Sequence, residues 1–129
     1  MKGSIRLMLV LLLVAVSSQA GFGQTPATRR VMREKLAHSQ KILEAILTSN
    51  FALLETESTA LAKVTQFPAW TVLQGPEYLR QSEAFLKSVH ELGAAARDRD
   101  LDTAVSRYTA LTTSCFACHR YMKDRRLAN

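Results

Sequence analysis

The helical spacing of apolar residues, which recurs in four consecutive segments, constrains the fold of this chain most strongly. In each segment the apolar residues return every three or four positions, as on one face of an α-helix. Strand-like alternation is absent, and the chain has only 3 prolines. Amphipathic helices of this kind cannot bury their apolar faces separately. We therefore predict an all-α fold, an antiparallel four-helix bundle.

Local signals mark the ends of these helices. Thr25 is a predicted N-cap followed by a proline, and Asp100 is a predicted N-cap for the last helix. The first predicted helix covers residues 25–48 and the second about 51–66. The third begins at residue 76 and ends between residues 97 and 99, and the fourth begins at residue 100. On the first helix the predicted inner face comprises Met32, Leu36, Ser39, Leu43 and Ile46. On the last it comprises Leu101, Ala104, Val105, Tyr108, Leu111, Thr112 and Cys115.

The N-terminus has the pattern of a secretory signal peptide. Lys2 and Arg6 precede an apolar run at residues 7–16, which ends in a small-residue stretch before Ala20. The run is well short of the roughly 20 apolar residues that a membrane-spanning helix needs. We predict a signal peptide at residues 1–20, a single domain at 21–129, periplasmic export and no stable membrane insertion after cleavage. An uncleaved interfacial anchor is the alternative.

The charge of the mature chain is modest. Removing Lys2 and Arg6 lowers the basic count from 17 to 15, against 11 acidic residues, which leaves a net charge of +4. The basic residues are spread along helical faces and are not interleaved with aromatic residues, so the sequence does not favour nucleic-acid binding. A solvated helical surface explains them. The functional alternative is docking to an acidic partner.

The chemistry of the chain is concentrated in a C-x-x-C-H motif at residues 115–119. Positions three and four residues later on a helix lie within about 60° of the first, so both sulfurs and the imidazole face one side. Two thiols so placed can add to the two vinyl groups of a porphyrin while the imidazole binds iron. The motif predicts one covalently bound haem c, with Cys115 and Cys118 as thioether residues and His119 as the proximal iron ligand.

Three other interpretations of the cysteine pair are weaker. A thioredoxin-type redox pair needs a strand-to-helix setting, whereas this pair lies within a helix. A structural zinc site needs four ligands, and the remaining histidines, His38 and His90, are isolated. A disulfide between residues three apart in a helix would be strained.

A haem motif ten residues from the C-terminus, on the fourth helix of a bundle, resembles the class II cytochromes c, the cytochrome c-prime family. The resemblance covers essentially the whole mature chain and includes the helix spacing around Met32. It implies a haem inside the bundle, with His119 on one side of the iron and the first helix covering the other. Low-spin members use a first-helix methionine as sixth ligand, and Met32 resembles that methionine. The resemblance thus implies His119 and Met32 as iron ligands.

Three possibilities remain for the ligand on the distal side of the iron, opposite His119. The ligand is Met32, it is His38, or the position is vacant. A methionine on an apolar stripe usually packs in the core. His38 lies some 200° around the helix from Leu36 and should face away from the stripe. The chain also departs from the family, because Met122 stands where members commonly have an aromatic residue three positions after the haem histidine. It is also shorter than many members, mainly between helices.

Further residues are candidates for supporting roles around the haem. Tyr108 and Phe116 are predicted to pack their rings beside the porphyrin. Arg29, Arg30 and Arg33 lie near the positive end of the first helix dipole, where a basic residue is not favoured for structural reasons. Pairing with haem propionates or with an acidic partner would explain them.

The predicted function is one-electron transfer, with redox proteins as partners. No paired catalytic carboxylates, activated nucleophile or phosphate loop is visible, so the sequence does not predict an enzyme. The alternative is a high-spin haem module that binds nitric oxide or carbon monoxide at a vacant distal site. The sequence also leaves open a homodimer, and it does not give the reduction potential or the electron donor and acceptor.

Overall fold

The computed structural model describes residues 25–127 and confirms the all-α prediction. Within this range there are four α-helices, one short 3-10 helix at Pro68–Trp70 and no strand. The helices are α1 at Pro26–Leu47, α2 at Phe51–Val64, α3 at Pro76–Asp98 and α4 at Leu101–Leu127. The predicted signal peptide, residues 1–20, lies outside the described residues.

Side-chain caps fix the starts of three helices. The Thr25 hydroxyl accepts a hydrogen bond from the Thr28 amide at 3.1 Å, and the Asp100 carboxylate accepts one from the Thr103 amide at 3.0 Å. Both predicted N-caps are therefore confirmed. Asn50 caps α2 in the same way, accepting a hydrogen bond from the Leu53 amide at 3.0 Å. Each cap satisfies an amide that has no partner within its own helix.

Tight turns make successive helices antiparallel. After α1, Ser49 adopts a left-handed backbone with φ 52°, and the Asn50 amide donates to the Ala45 carbonyl at 2.8 Å. After α3, Arg99 has φ 55° and closes an equivalent turn. These bonds pair carbonyls that the helix ends leave unsatisfied and reverse the chain within a few residues.

The four helices form a bundle with one loosely packed side. Close contacts join α1 to α2, α2 to α3 and α3 to α4, whereas α1 and α4 pack against each other far less closely. The largest fully buried apolar side chains are Ile42, Leu54, Leu61, Val64, Val89, Leu92 and Leu111. No helix within residues 25–127 is both long enough and apolar enough to cross a membrane.

The predicted inner face of α1 is wrong, because the buried face is rotated by about one residue from the predicted one. Ile46 is buried as predicted, but Leu36 is 58% exposed and Leu43 is 40% exposed. The buried face of α1 comprises Thr28, Val31, Lys35, Ile42, Ala45 and Ile46. The physical reason is that α1 carries two adjacent apolar stripes, and the second turns toward the open side next to α4.

The predicted inner face of α4 is confirmed only in part. Ala104 and Leu111 are buried, whereas Val105 and Thr112 are exposed. Tyr108 and Cys115 are partly buried and pack against the core. Because α1 lies at a distance from α4, one flank of the α4 stripe has no neighbouring helix to cover it.

Candidate functional site

An open groove between α1 and α4 is the main cavity at the loosely packed side of the bundle. Its volume is about 620 Å³, within the usual range of roughly 300 to 1,000 Å³ for small-molecule sites. From α1 it is lined by Arg29, Met32, Arg33, Lys35, Leu36 and Ser39. From α4 it is lined by Tyr108, Leu111, Thr112, Cys115, Phe116 and His119.

The groove brings together three of the four predicted haem-site residues. Cys115 and His119, four residues apart on α4, line it from one side, and Met32 lines it from α1. Cys115 and Met32 are half-buried, and His119 is more exposed. A spacing of four residues places two side chains one above the other on a helix, which explains why the thiol and the imidazole share this wall.

Cys118 is half-buried beside the groove but does not line it. Burial raises the pKa of its thiol, and the nearby Lys35 ammonium opposes that shift, while Cys115 and Glu77 add to it. Cys115 and Cys118 are not joined by a disulfide.

Two aromatic residues of α4 border the groove. Tyr108 spans it, because its hydroxyl donates a hydrogen bond to the Ser39 carbonyl of α1 at 3.2 Å. Burial raises the pKa of Tyr108, with Cys115 as a smaller cause, so the phenol stays protonated and able to donate. Phe116 also lines the groove and is 70% exposed.

The remaining candidate ligands lie elsewhere. His38 faces α2, where its Nδ1 lies 2.6 Å from an oxygen of Glu57, and it does not line the groove. Met122 and His90 are likewise not among the residues that line the groove. Among the candidate distal ligands, Met32 is the one that lines the groove together with His119.

The groove is basic, and its most buried cation was not predicted. Arg29, Arg33 and Lys35 line it, and no carboxylate does. Lys35 is only 7% exposed, although lysines are rarely buried. A signal for this was present in the sequence, because Lys35 falls four residues after Val31 and seven before Ile42, on a mainly apolar face.

The side chains around the groove suit a haem better than a directly bound metal ion. Among the described residues, no group of three or more His, Cys, Asp or Glu side chains could hold a metal ion directly. A haem needs no such group, because the porphyrin holds the iron and the protein adds axial ligands. The side chains in and beside the groove fit that cofactor. They comprise free thiols, an imidazole, a thioether on the facing helix, an apolar wall and basic residues for the propionates.

The comparisons with known proteins give no family. The chain matches no protein-family model, no curated protein and no solved structure. The likeness to class II cytochromes c therefore depends on the motif, its position and the bundle.

Proposed function

We propose that this protein is a periplasmic class II c-type cytochrome that carries single electrons between redox proteins. The observation that supports the proposal most strongly is that Cys115 and His119 of α4 and Met32 of α1 all line one groove of suitable size. When bound, haem c supplies a one-electron cycle between ferric and ferrous iron. The roles of the surrounding residues follow from their positions.

The residues of α4 would attach the cofactor and bind the iron on its proximal side. Cys115 and Cys118 would form the thioethers, and His119 would provide the proximal nitrogen. The pair would hold one edge of the porphyrin against α4. Attachment to consecutive turns of one rigid helix keeps the imidazole oriented.

The residues of α1 and the groove walls would set the properties of the iron. Met32 would provide a thioether as sixth ligand, which favours the reduced state. Tyr108 and Phe116 would shield the porphyrin from water, and the Tyr108 hydrogen bond to α1 would hold the two walls together. Arg29 and Arg33 are exposed at the groove, where they suit an acidic docking surface of a partner.

The first test is attachment. The full chain is produced in a host with a cytochrome c maturation system, unfolded, and examined for haem that stays with the polypeptide. We expect a coloured protein with one haem per chain, and a colourless product in the Cys115→Ala, Cys118→Ala double variant. A colourless wild-type protein whose thiols react with an alkylating reagent would refute the proposal.

The second test is the distal ligand. Met32→Ala should convert a low-spin absorption spectrum to a high-spin one, and Met122→Ala is the matched control that should leave it low-spin. If the wild-type protein is already high-spin and binds carbon monoxide without a change at Met32, the gas-binding alternative replaces the electron carrier. In that case the haem attachment residues keep their roles.

A further inference from the structure

A hydrogen bond links the two walls of the groove. The Tyr108 hydroxyl of α4 donates to the Ser39 backbone carbonyl of α1 at 3.2 Å, although the two residues lie 69 positions apart in the chain. Both residues are partly buried and line the groove. The Ser39 hydroxyl is engaged separately, because it donates to the Lys35 carbonyl within α1 at 2.8 Å. The link across the groove therefore depends on one side-chain group, the phenol of Tyr108.

This link lies where close packing does not hold the helices together. The other neighbouring helices are in close contact, whereas α1 and α4 pack far less closely and enclose the groove between them. Leu36 of α1 and Phe116 of α4 line the groove but are 58% and 70% exposed, so they are not packed tightly across it. Interdigitated side chains normally fix the distance between two helices. Between α1 and α4 a directional hydrogen bond has correspondingly more influence on that distance.

The link is also in register with the predicted sixth ligand. Met32 lies seven residues before Ser39 on α1. Cys115 lies seven residues after Tyr108 on α4. Seven residues make nearly two helical turns, so the members of each pair share one helix face and lie about 10 Å apart along the axis. Since α1 and α4 run antiparallel, Met32 and Cys115 lie at one level of the groove, and the hydrogen bond lies two turns away on the same side.

We propose that Tyr108 is a positioning residue for the sixth iron ligand: its hydrogen bond to the Ser39 carbonyl sets the distance between α1 and α4 at which the Met32 thioether can bind the iron. This inference rests on the proposed function, because it requires a haem in the groove. Tyr108 acts through Met32 and is not itself a ligand. Without the hydroxyl, α1 is held less firmly, and the thioether is away from the iron in a larger fraction of molecules.

The test uses Tyr108→Phe, which removes the hydroxyl and keeps the ring, in the full chain with its haem attached. Two quantities are measured, the rate at which carbon monoxide binds to the reduced protein and the spin state of the oxidised protein. We expect carbon monoxide to bind about two- to tenfold faster and the high-spin fraction to increase. A factor of this size corresponds to the net contribution of one hydrogen bond to the population in which Met32 is bound.

Three control variants should behave as the wild type. Ser39→Ala keeps the acceptor, because the carbonyl belongs to the backbone. Tyr121→Phe removes a phenol from the same helix at a position that does not line the groove. Val89→Ala weakens the core at a buried position of α3 that is likewise outside the groove. Equal acceleration in Val89→Ala and Tyr108→Phe would overturn the inference, because general loosening of the bundle would then explain both.

A double variant separates positioning from shielding. If Tyr108 acts through Met32, Tyr108→Phe has no further effect on carbon monoxide binding once Met32→Ala has removed the thioether. The same acceleration with and without the thioether would overturn the inference, because Tyr108 would then control access to the iron directly.

The outcomes distinguish this inference from the proposed function. Failure of haem to attach to the wild-type chain would refute the proposed function. Normal attachment and a low-spin spectrum, with equal carbon monoxide rates in wild type and Tyr108→Phe, would refute only the role of Tyr108. A wild-type protein that is already high-spin would also refute that role, since Met32 would not be a ligand.

Discussion

Replacing Glu57 with Gln tests how far the contact between α1 and α2 depends on a buried charge. The Glu57 side chain is 9% exposed and lies at 2.6 Å from Nδ1 of His38 and 3.4 Å from Nζ of Lys41. The bond from His38 is short and shielded, whereas Lys41 is 55% exposed and its pair is long. Most of the stabilisation by this cluster should therefore come from His38.

The structure sets the size of the expected loss. Hydrogen bonds to charged groups contribute roughly 1.5 to 3 kcal/mol, and they are about twice as strong as neutral ones. Gln keeps an oxygen that can accept a hydrogen bond from His38 but loses the charge. We therefore expect Glu57→Gln to lower the free energy of unfolding by about 1 to 1.5 kcal/mol at neutral pH.

The loss should depend on pH with a definite sign. Burial alone would raise the pKa of Glu57, but the hydrogen bonds from His38 and Lys41 reverse this and bring the pKa below its ordinary value of 4.5. A group with a lowered folded-state pKa contributes stability that is complete above its unfolded-state pKa. That contribution is lost as the pH falls through the folded-state pKa. The difference between wild type and Glu57→Gln should thus be constant near neutral pH and shrink in acid.

Urea unfolding followed by circular dichroism measures both quantities. Glu55→Gln is the control, because Glu55 pairs with Arg97 at 3.7 Å and both side chains are well exposed, which predicts a loss below about 0.5 kcal/mol. Equal losses in Glu55→Gln and Glu57→Gln at neutral pH would refute the reasoning. So would a difference between wild type and Glu57→Gln that grows as the pH falls.

Two further predictions concern the groove and the core. Tyr108→Phe removes the hydrogen bond to the Ser39 carbonyl across the groove, and should lower the free energy of unfolding by about 0.5 to 1 kcal/mol; a loss above twice that value in urea unfolding would contradict it. Leu54→Ala, at a fully buried position of α2, should cost about 2 to 5 kcal/mol. Leu47→Ala, at an exposed position of α1, should cost less than about 0.5 kcal/mol by the same measurement, and similar costs for the two variants would contradict the assigned burial.

The helices and their ends were predictable because they depend on local interactions. The Thr25 and Asp100 caps each join residues three positions apart, so the sequence contains both partners. Apolar spacing likewise reports the presence of a helix, whatever it packs against. The grouping of Cys115 with His119 follows from the same periodicity, since both belong to one helix.

The precise rotation of α1 was not predictable from spacing. Val31 and Met32 begin two neighbouring apolar stripes, and either one could have faced the core. The choice depends on which neighbouring helices cover them, and α4 packs too loosely to cover the second stripe. Leu36 and Leu43 were consequently placed inside by the sequence and lie outside in the structure.

By itself the sequence determined the helices, their ends and the single helix face that carries a thiol and an imidazole, because each depends on residues less than two turns apart. Tertiary structure alone decided that Met32 lines the same groove as His119, that His38 is paired with Glu57 instead, and that Lys35 is buried against Trp70 and Phe85. These features depend on the rotation and separation of helices distant in the chain. Packing of all four helices at once fixes them, and no local pattern encodes that.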